Sequence, residues 1–429
     1  MTVTDFARPD ALVLATNRRL RMVVVFLLYA AQGLPAGLFY FALPAWQAQN
    51  GASAAAIGGV LALAALPWSL KLVNGFFMDR FTFLAMGRRR PWIIVGQSGL
   101  LIGMLAMAVA NPGARDAALL GGFAFAINLA SSIQDVAVDG LAVDVIPIAE
   151  LGRANGFMFG GSTIGVATGA ALTGTLIASH GLPTAMLALA TLIGAILAVV
   201  LVVRERPGER RLPWSVGRAD PTSLDRHLGS FGAIVRSVLG AMNDRPTLIA
   251  LPALFLTGVS YALFIGLAPL HGTRALGWVD ATYANWSARA NLAAGIAGVL
   301  VLGALASRWG ARRSFIGAHL ASAVAAAVLV WLLPGSRAPW LLIAAIFAFS
   351  AIDIMRSIAA SAVAMRLCTP AVAATQFSLM MAIWNIGISA GSALLGPLDA
   401  LGGTAAMAAA IVISGTVGAG FAALARAGK

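Results

Sequence analysis

Long apolar segments recur along this chain from near its first residue to near its last. Each is long enough to cross the hydrocarbon of a bilayer as a helix, which takes about 20 apolar residues, and too long for the strands of a barrel. The chain is therefore predicted to be an all-α polytopic membrane protein with twelve transmembrane helices. The predicted spans are 22–46, 53–78, 92–110, 117–146, 153–178, 183–203, 246–270, 281–307, 315–334, 339–366, 372–397 and 403–425.

Composition agrees with this interpretation and excludes several classes of function. Hydrophobic residues make up 60% of the chain, and its mean hydropathy is +0.88. The single cysteine, Cys368, excludes an internal disulfide framework, and the four histidines are never at ligand spacing, so we expect no metal site and no cofactor. The chain has no P-loop, no nucleophile–base motif and no soluble catalytic domain, so we do not expect an enzyme.

The formal charge of +13 comes almost entirely from arginine. A basic chain raises the question of nucleic acid, but cytoplasmic loops of membrane proteins concentrate arginine in the same way, and we expect no nucleic-acid partner. With both termini and the loop 204–245 placed in the cytoplasm, the opposite side holds only Arg115, Arg274 and Arg337. No cleaved signal peptide is predicted.

The two parts of the chain resemble each other. GVATG at 165–169 matches GISAG at 387–391, and GFFMDR at 75–80 matches GALASR at 303–308. Such internal similarity is typical of transporters built from repeats. We therefore predict two pseudo-symmetric six-helix halves, 1–203 and 246–429, joined by a cytoplasmic linker at 204–245. Residues 228–243 are mildly amphipathic, and either a membrane-surface helix or a plain loop remains open.

A cluster of charge interrupts the apolar sequence between spans two and three, in FFMDRFTFLAMGRRRPWIIVGQ at 76–97. The pattern Gly-x-x-x-Asp-Arg followed by Gly-Arg-Arg resembles the cytoplasmic loop motif of the major facilitator superfamily. Lys71, QDVAVDGLAVDVIP at 134–147 and ATQFSLM at 374–380 further resemble the AmpG-type branch. That branch includes muropeptide permeases, siderophore importers and acetyl-CoA transporters.

Some positions differ from the muropeptide permeases. Those proteins often carry a lysine where this chain has Ala142, and acidic residues where it has Val259 and Phe349. Span ten instead holds Asp353 and Arg356. The resemblance therefore implies the fold and the transport mechanism more firmly than the muropeptide substrate.

The charged loop is predicted to act as a cytoplasmic gate. Asp79 can pair with arginines and with neighbouring helix ends, and such pairs can lock one half against the other. Asp79 and Arg80 are therefore interpreted as the gate, whereas Arg88–Arg90 mainly mark the cytoplasmic side. Asp144 is expected to partner Arg88–Arg90 or Arg153 at a helix end. The predicted gate residues are Asp79, Arg80, Arg88, Arg89, Arg90, Asp144 and Arg308.

Charged residues within the predicted spans are costly in hydrocarbon and are candidates for function. Asp135 and Asp139 lie four residues apart on one face of span four, at a depth similar to that of Lys71 on span two. Lys71 can pair with either carboxylate, which leaves a second titratable group. We interpret the three as a proton switch; the alternative is a static ion pair that holds helices together.

A second set of polar residues is assigned to substrate binding. Arg289 has no obvious partner nearby in the sequence and suits an anionic group, whereas Asp353 and Arg356 are spaced to neutralise each other. The predicted substrate-binding residues are Gln32, Tyr40, Gln134, Arg289, Asp353, Arg356 and Asn385.

Together these features predict a proton-coupled secondary active transporter that works by alternating access. By resemblance, its substrate is a sizeable polar or anionic solute of muropeptide type, imported across the bacterial inner membrane by a monomer. A siderophore or acyl-CoA transporter on the same fold, and a non-transporting membrane assembly or sensor protein, are the alternatives. Its expected partners are the solute, protons and the lipid bilayer.

Overall fold

The computed structural model of the protein describes residues 12–278, 280–332 and 337–425. These residues form twelve long apolar helices, which confirms the predicted all-α polytopic fold. The helices, labelled α1 to α12 in chain order, are Arg18–Gln49, Ala54–Arg80, Arg90–Ala110, Ala117–Val145, Leu151–His180, Leu182–Val202, Arg245–Leu276, Thr282–Trp309, Ala311–Leu332, Pro339–Leu367, 373–401 and 404–424.

The last two helices follow each other without a loop. The helical segment Ala373–Leu424 is 52 residues long, far more than one crossing requires, and its backbone leaves helical geometry at Gly402 and Gly403. Gly403 has φ +62°, a conformation that glycine adopts without steric cost. The two glycines therefore separate α11 from α12.

Two of the helices near the candidate site are irregular. A π-helical turn at Leu38–Ala42 interrupts α1 between Pro35 and Pro44. α2 breaks at Leu70, three residues after Pro67, so that Lys71 begins its second segment. Because proline lacks a backbone N–H and crowds the preceding turn, such breaks are expected beside it.

The chain divides into two compact units. Unit 1 comprises residues 1–146, 161–238 and 369–378, and unit 2 comprises 147–160, 239–368 and 379–429. The segment 204–238 thus belongs with unit 1. It runs beside residues 12–15, where Val13 and Arg204 form a short parallel bridge, and it continues into a helix at Phe231–Met242.

Glycines at equivalent positions of the repeat allow close helix packing in both units. In unit 1, α5 packs against α1 so closely that a Cβ atom at Gly165 would lie 2.4 Å from the carbonyl oxygen of Ala30. In unit 2, a Cβ atom at Gly387 on α11 would lie 2.0 Å from the carbonyl oxygen of Phe255 on α7. Small residues at helix interfaces permit this approach in membranes. The sequence repeat therefore corresponds to a repeated packing contact, with an offset of 387 − 165 = 222 residues.

Candidate functional site

An ion pair lies within the helices of unit 1. Lys71 begins the second segment of α2, and its Nζ lies 2.5 Å from Oδ2 of Asp135 on α4. The ammonium also lies over the ring of Trp68, 4.7 Å from its centroid, where the π face attracts a cation. Sequence reasoning left Asp135 and Asp139 as alternative partners of Lys71, and the geometry selects Asp135.

The second carboxylate of α4 has a different partner. Asp139 is buried one helical turn beyond Asp135, and its Oδ1 accepts a hydrogen bond from the hydroxyl of Tyr29 on α1. Three helices thus bring one ammonium, two carboxylates and one phenol together. Sequence reasoning did not find this role of Tyr29, because no local pattern connects it to Asp139.

Gln134, Gln32 and Tyr40 are placed differently from one another. Gln134 is fully buried: its oxygen accepts a hydrogen bond from Gln97 Nε2 at 2.5 Å, and its Nε2 donates to the carbonyl of Leu28 at 2.6 Å. It therefore joins α1, α3 and α4, a role that competes with substrate binding. Gln32 is buried with its Oε1 unbonded, and Tyr40 is half-buried in the π-helical turn of α1.

In unit 2, Arg356 donates to Oδ1 of Asp353 one turn earlier on α10, the spacing predicted for mutual neutralisation. Arg356 is 1% exposed, and its Nε and Nη1 have no hydrogen-bond partner within the described part of the chain. Arg289 is exposed and lies over the ring of Trp286, 5.1 Å from its centroid. Asn385 is exposed on α11. Unit 2 therefore offers guanidinium groups with unused donors.

The arginines of the α2–α3 loop are buried, which revises their interpretation as simple topological anchors. Arg88, Arg89 and Arg90 are 2%, 0% and 1% exposed. Arg89 donates to Asp79 at 2.7 Å and to Asp144 at 3.1 Å, and Arg88 donates to Asp144 at 3.1 Å. Buried arginines require such charge partners, since an unpaired buried charge is strongly unfavourable.

Arg90 has a different role from its neighbours. Its guanidinium donates to the carbonyls of Val200 and Leu201 at 2.9 and 2.7 Å, at the carboxyl end of α6. The last carbonyls of a helix have no partner within the helix and favour a positive charge. Arg90 therefore caps α6.

The two residues of the predicted gate, Asp79 and Arg80, make different contacts. Asp79 bonds to Arg89, whereas the guanidinium of Arg80 lies over the ring of Phe81, 4.8 Å from its centroid. Adjacent side chains on a helix point in different directions, and Arg80 is turned away from the carboxylate. Asp144 pairs with Arg88 and Arg89 as expected, and additionally with Arg226 at 3.1 Å. Arg308 is exposed at the end of α8.

Asp79 also bonds to the beginning of α11. Its Oδ2 accepts hydrogen bonds from the backbone N–H of Thr375 at 2.9 Å and from the Thr375 hydroxyl at 2.7 Å. The backbones approach closely there, since a Cβ atom at Gly75 would lie 2.8 Å from Cα of Thr375. This contact gives physical roles to the Gly of the Gly-x-x-x-Asp-Arg pattern and to the ATQFSLM segment.

A glutamate from beyond α6 completes the cluster. The buried carboxylate of Glu205 accepts from the successive backbone N–H groups of Arg88, Arg89 and Arg90 at 3.0, 2.7 and 2.5 Å. It thereby satisfies the first amides of α3, which have no partner within the helix, and its charge favours that end of the helix dipole. The turn depends on Gly87, whose φ is +102°.

Burial disfavours the ionised forms of two glutamates in this segment, Glu205 and Glu209. Burial raises the pKa of Glu205. Burial, followed by the nearby charge of Glu205, raises the pKa of Glu209 to about 8. Glu209 accepts from the backbone N–H of Arg206 at 2.9 Å, and its other oxygen has no hydrogen-bond partner in residues 12–278, 280–332 and 337–425.

The sequence pattern of the Major Facilitator Superfamily matches residues 25–392, which is most of the chain. The chain belongs to the major facilitator superfamily. It is similar to the anhydromuropeptide permease of Escherichia coli strain K12, with 31% identity over 132 residues. It is also similar to putative transporter AmpG 3 of Rickettsia prowazekii, with 27% identity over 131 residues.

These matches cover 31% and 30% of this chain, and only 26% and 31% of the length of the two relatives. The fold is similar to that of the transporter FucP in its outward conformation, with a TM-score of 0.72 at 13% identity over 95% of this chain and 99% of that one. A bacterial homologue of ferroportin in an outward-facing state is also similar, with a TM-score of 0.66 at 13% identity over 94% and 98%. The protein is thus a superfamily transporter with AmpG-like relatives.

Proposed function

We propose that this chain is a proton-coupled secondary active transporter that imports a sizeable polar or anionic solute of muropeptide type. The observation that carries the proposal is the group formed by Lys71, Asp135, Asp139 and Tyr29. A membrane protein that only holds an assembly together would not require these four polar groups, because apolar residues of similar volume would hold the same helices together at lower electrostatic cost.

The proton is taken up by the second carboxylate. Lys71 neutralises Asp135 at 2.5 Å, whereas Asp139 accepts a hydrogen bond from a neutral donor, the Tyr29 hydroxyl. One ammonium and two carboxylates carry a net charge of −1 when all are ionised, and no net charge when one proton is bound. Because low-dielectric surroundings favour the neutral state, opening of the site to a more acidic compartment loads a proton, and opening to the other side releases it.

The arginines of unit 2 support an anionic solute. Two nitrogens of Arg356 have no hydrogen-bond partner among the residues that the structure describes, and the guanidinium of Arg289 lies over the ring of Trp286. A planar guanidinium with free donors suits carboxylate or phosphate groups. The muropeptide assignment comes from the relatives, one of which is named an anhydromuropeptide permease.

The Asp79 cluster supports the assignment of a gate on the cytoplasmic side. Asp79 holds Arg89 on the loop and Thr375 on α11 with the two oxygens of one carboxylate. Release of the Thr375 bonds leaves Asp79 still paired with Arg89, so the contact can open without an unpaired charge being left in the interior. The proposal further assigns both termini to the cytoplasm. It assigns the transporter to the bacterial inner membrane, where it acts as a monomer.

Uptake into proteoliposomes with an imposed proton gradient tests this function. Labelled anhydromuropeptides, ferric siderophores and acyl-CoAs serve as substrates, with and without a protonophore. We expect one class to accumulate against its gradient and to stop accumulating when the proton gradient collapses. Accumulation that ignores the collapse contradicts proton coupling, and an absence of transport of all three classes favours the assembly or sensor alternative.

Variants assign the coupling to the site. Asp139→Asn is expected to bind solute and exchange it without accumulating it, because the titratable group is lost. Tyr29→Phe is expected to bind solute while changing the pH profile of uptake. Asp225→Asn, which alters an exposed carboxylate outside the twelve long helices, is the matched control. If Asp139→Asn accumulates solute as the control does, Asp139 has a structural role only.

A further inference from the structure

Unit 2 contains a basic cavity that the transport mechanism does not use. Its volume is about 400 Å³. It is located where α8, α9, α10 and α12 end or begin. Its lining consists of Trp309, Gly310, Arg312, Arg313, Val363, Arg366, Leu367 and Ala425.

The cavity occupies the place that the buried charge cluster occupies in unit 1. Under the repeat offset of 222 residues, Arg312 corresponds to Arg90. It makes the same contact: its guanidinium donates to the carbonyls of Ala422 and Ala423 at the end of α12, as Arg90 does to Val200 and Leu201 at the end of α6. The two places can therefore be compared residue by residue.

The comparison explains why unit 2 has a cavity. Arg88 and Arg89 precede Arg90 in unit 1, whereas Gly310 and Ala311 precede Arg312 in unit 2, so two long side chains that fill unit 1 are absent here. Arg366 corresponds to Asp144, the carboxylate that neutralises Arg88 and Arg89 in unit 1. Unit 2 thus has a basic residue where unit 1 has an acidic one, at the edge of an unfilled space.

The segment around the cavity carries little negative charge. Between residues 300 and 425 the only acidic residues are Asp353 and Asp399, and they pair with Arg356 and Arg274. Among the described residues, Arg313 and Arg366 have no ion-pair partner, and both are exposed. Three arginines therefore converge on the first turn of α9 without an anion.

The equivalent position in unit 1 shows which chemical group binds at such a helix start. There the Glu205 carboxylate accepts three successive backbone N–H groups at the first turn of α3. In unit 2 the equivalent first turn, at the start of α9, has the arginines of the cavity around it instead of a carboxylate. We propose that this cavity, lined by Arg312, Arg313 and Arg366, binds the phosphate of an anionic phospholipid headgroup.

A lipid is the occupant that fits the position. The cavity lies at helix ends, and Trp309 beside it is 53% exposed, as is usual for tryptophan at a membrane interface. Leu424, next to the lining residue Ala425, is 65% exposed and offers an apolar surface to an acyl chain. Basic cavities between transmembrane helices bind anionic headgroups in this way.

The test measures phospholipid binding to the full-length protein by native mass spectrometry during titration with phosphatidylglycerol or phosphatidylcholine. We expect phosphatidylglycerol to bind preferentially to the unaltered chain. The double variant Arg313→Gln/Arg366→Gln is expected to weaken that binding about 25-fold, because each arginine near an anionic headgroup contributes a factor of about five. Arg312 is left in place because it caps α12.

Two further variants make the result specific. Arg211→Gln/Arg218→Gln removes the same charge from exposed arginines of unit 1 and is expected to leave binding unchanged. Arg366→Asp restores the acidic residue found at the equivalent position of unit 1, and is expected to abolish the preference for phosphatidylglycerol while the protein stays folded. Equal binding by the Arg313→Gln/Arg366→Gln variant and the unit 1 control overturns the proposal.

Inorganic phosphate distinguishes a lipid from a soluble anion. Millimolar phosphate is expected to leave phosphatidylglycerol binding intact, since the acyl chains add affinity that a free ion lacks. If phosphate displaces the lipid and itself binds in an arginine-dependent way, the occupant is a free phosphate and the lipid assignment is wrong.

Discussion

Asp79 on α2 accepts two hydrogen bonds from Thr375, one from its backbone N–H at 2.9 Å and one from its hydroxyl at 2.7 Å. The repeat reproduces half of this relationship in unit 2. There Ser307, which aligns with Asp79 in the matched segments GALASR and GFFMDR, accepts a hydrogen bond at 2.7 Å from the backbone N–H of Arg153, the counterpart of Thr375. In each unit, a side chain in the last turn of the second helix thus accepts a hydrogen bond from a backbone amide at an equivalent position. The acceptor is charged in unit 1 and neutral in unit 2.

Removal of the charge at Asp79 should therefore lower the free energy of unfolding more than removal of the hydroxyl at Thr375. Asp79→Asn leaves the buried Arg89 with Asp144 as its remaining partner, and we expect it to lower the free energy of unfolding by about 3 kcal/mol or more. Thr375→Val removes one of two bonds and should cost about 1 kcal/mol. Thermal unfolding in detergent compares them, and equal losses would show that the charge is unimportant.

Lys71 and Asp135 should be coupled in a double-mutant cycle. Lys71→Met leaves the Asp135 carboxylate, 5% exposed, without a counter-ion and should destabilise the protein by about 3 kcal/mol. Lys71→Met combined with Asp135→Asn should recover most of that loss, since neither charge remains. The coupling energy follows from the unfolding free energies of Lys71→Met, Asp135→Asn, the double variant and the unaltered chain. Additive effects would mean that the 2.5 Å contact contributes little.

Glu209 should make the protein less stable as the pH rises. Its pKa is about 8 in the folded protein and near 4.5 when exposed, so the folded state binds more protons between those values. Stability from this group is therefore complete below about pH 4.5 and is lost as the pH rises to about 8. Glu209→Gln should match the unaltered chain near pH 5 and unfold at a higher temperature near pH 8.5. A pH-independent difference between the two would contradict this interpretation.

The packing glycines should be equally sensitive in both units. Gly165→Ala and Gly387→Ala place a methyl group 2.4 and 2.0 Å from a carbonyl oxygen of the neighbouring helix, so the helices must separate. We expect each to cost about 2 kcal/mol, within the range for overpacked interiors. Gly58→Ala is the control, because nothing lies within 4 Å of its added methyl group. A loss in the control similar to that in the other two would indicate a general effect of the glycines.

Features that depend on local sequence were predictable. Twelve helices follow from the apolar runs, and the internal repeat follows from glycine spacing that the two units share. Lys71 and the carboxylates of α4 were recognisable because charge is rare within apolar spans. The choice of Asp135 over Asp139 was not, since it depends on the break in α2 at Leu70 and on the position of Tyr29 on another helix.

The charged loop was harder to interpret for a physical reason. An arginine that marks the cytoplasmic side and an arginine buried in an ion-pair cluster occur in the same kind of sequence. Burial of Arg88–Arg90 depends on Glu205, which lies in a stretch that resembles a solvated linker and is 115 residues from Arg90. Contacts over such a separation leave no periodic pattern in the sequence.

The Glu205 cap also sets an order of events during biosynthesis. The first turn of α3 receives its carboxylate only when a residue 115 positions later has left the ribosome. At typical rates of synthesis that interval is on the order of ten seconds. Until then Arg88, Arg89 and Arg90 remain available to the membrane surface and to the insertion machinery, where positive charge fixes the orientation of the helices. The same three arginines can thus orient the nascent chain first and become buried in the finished protein afterwards.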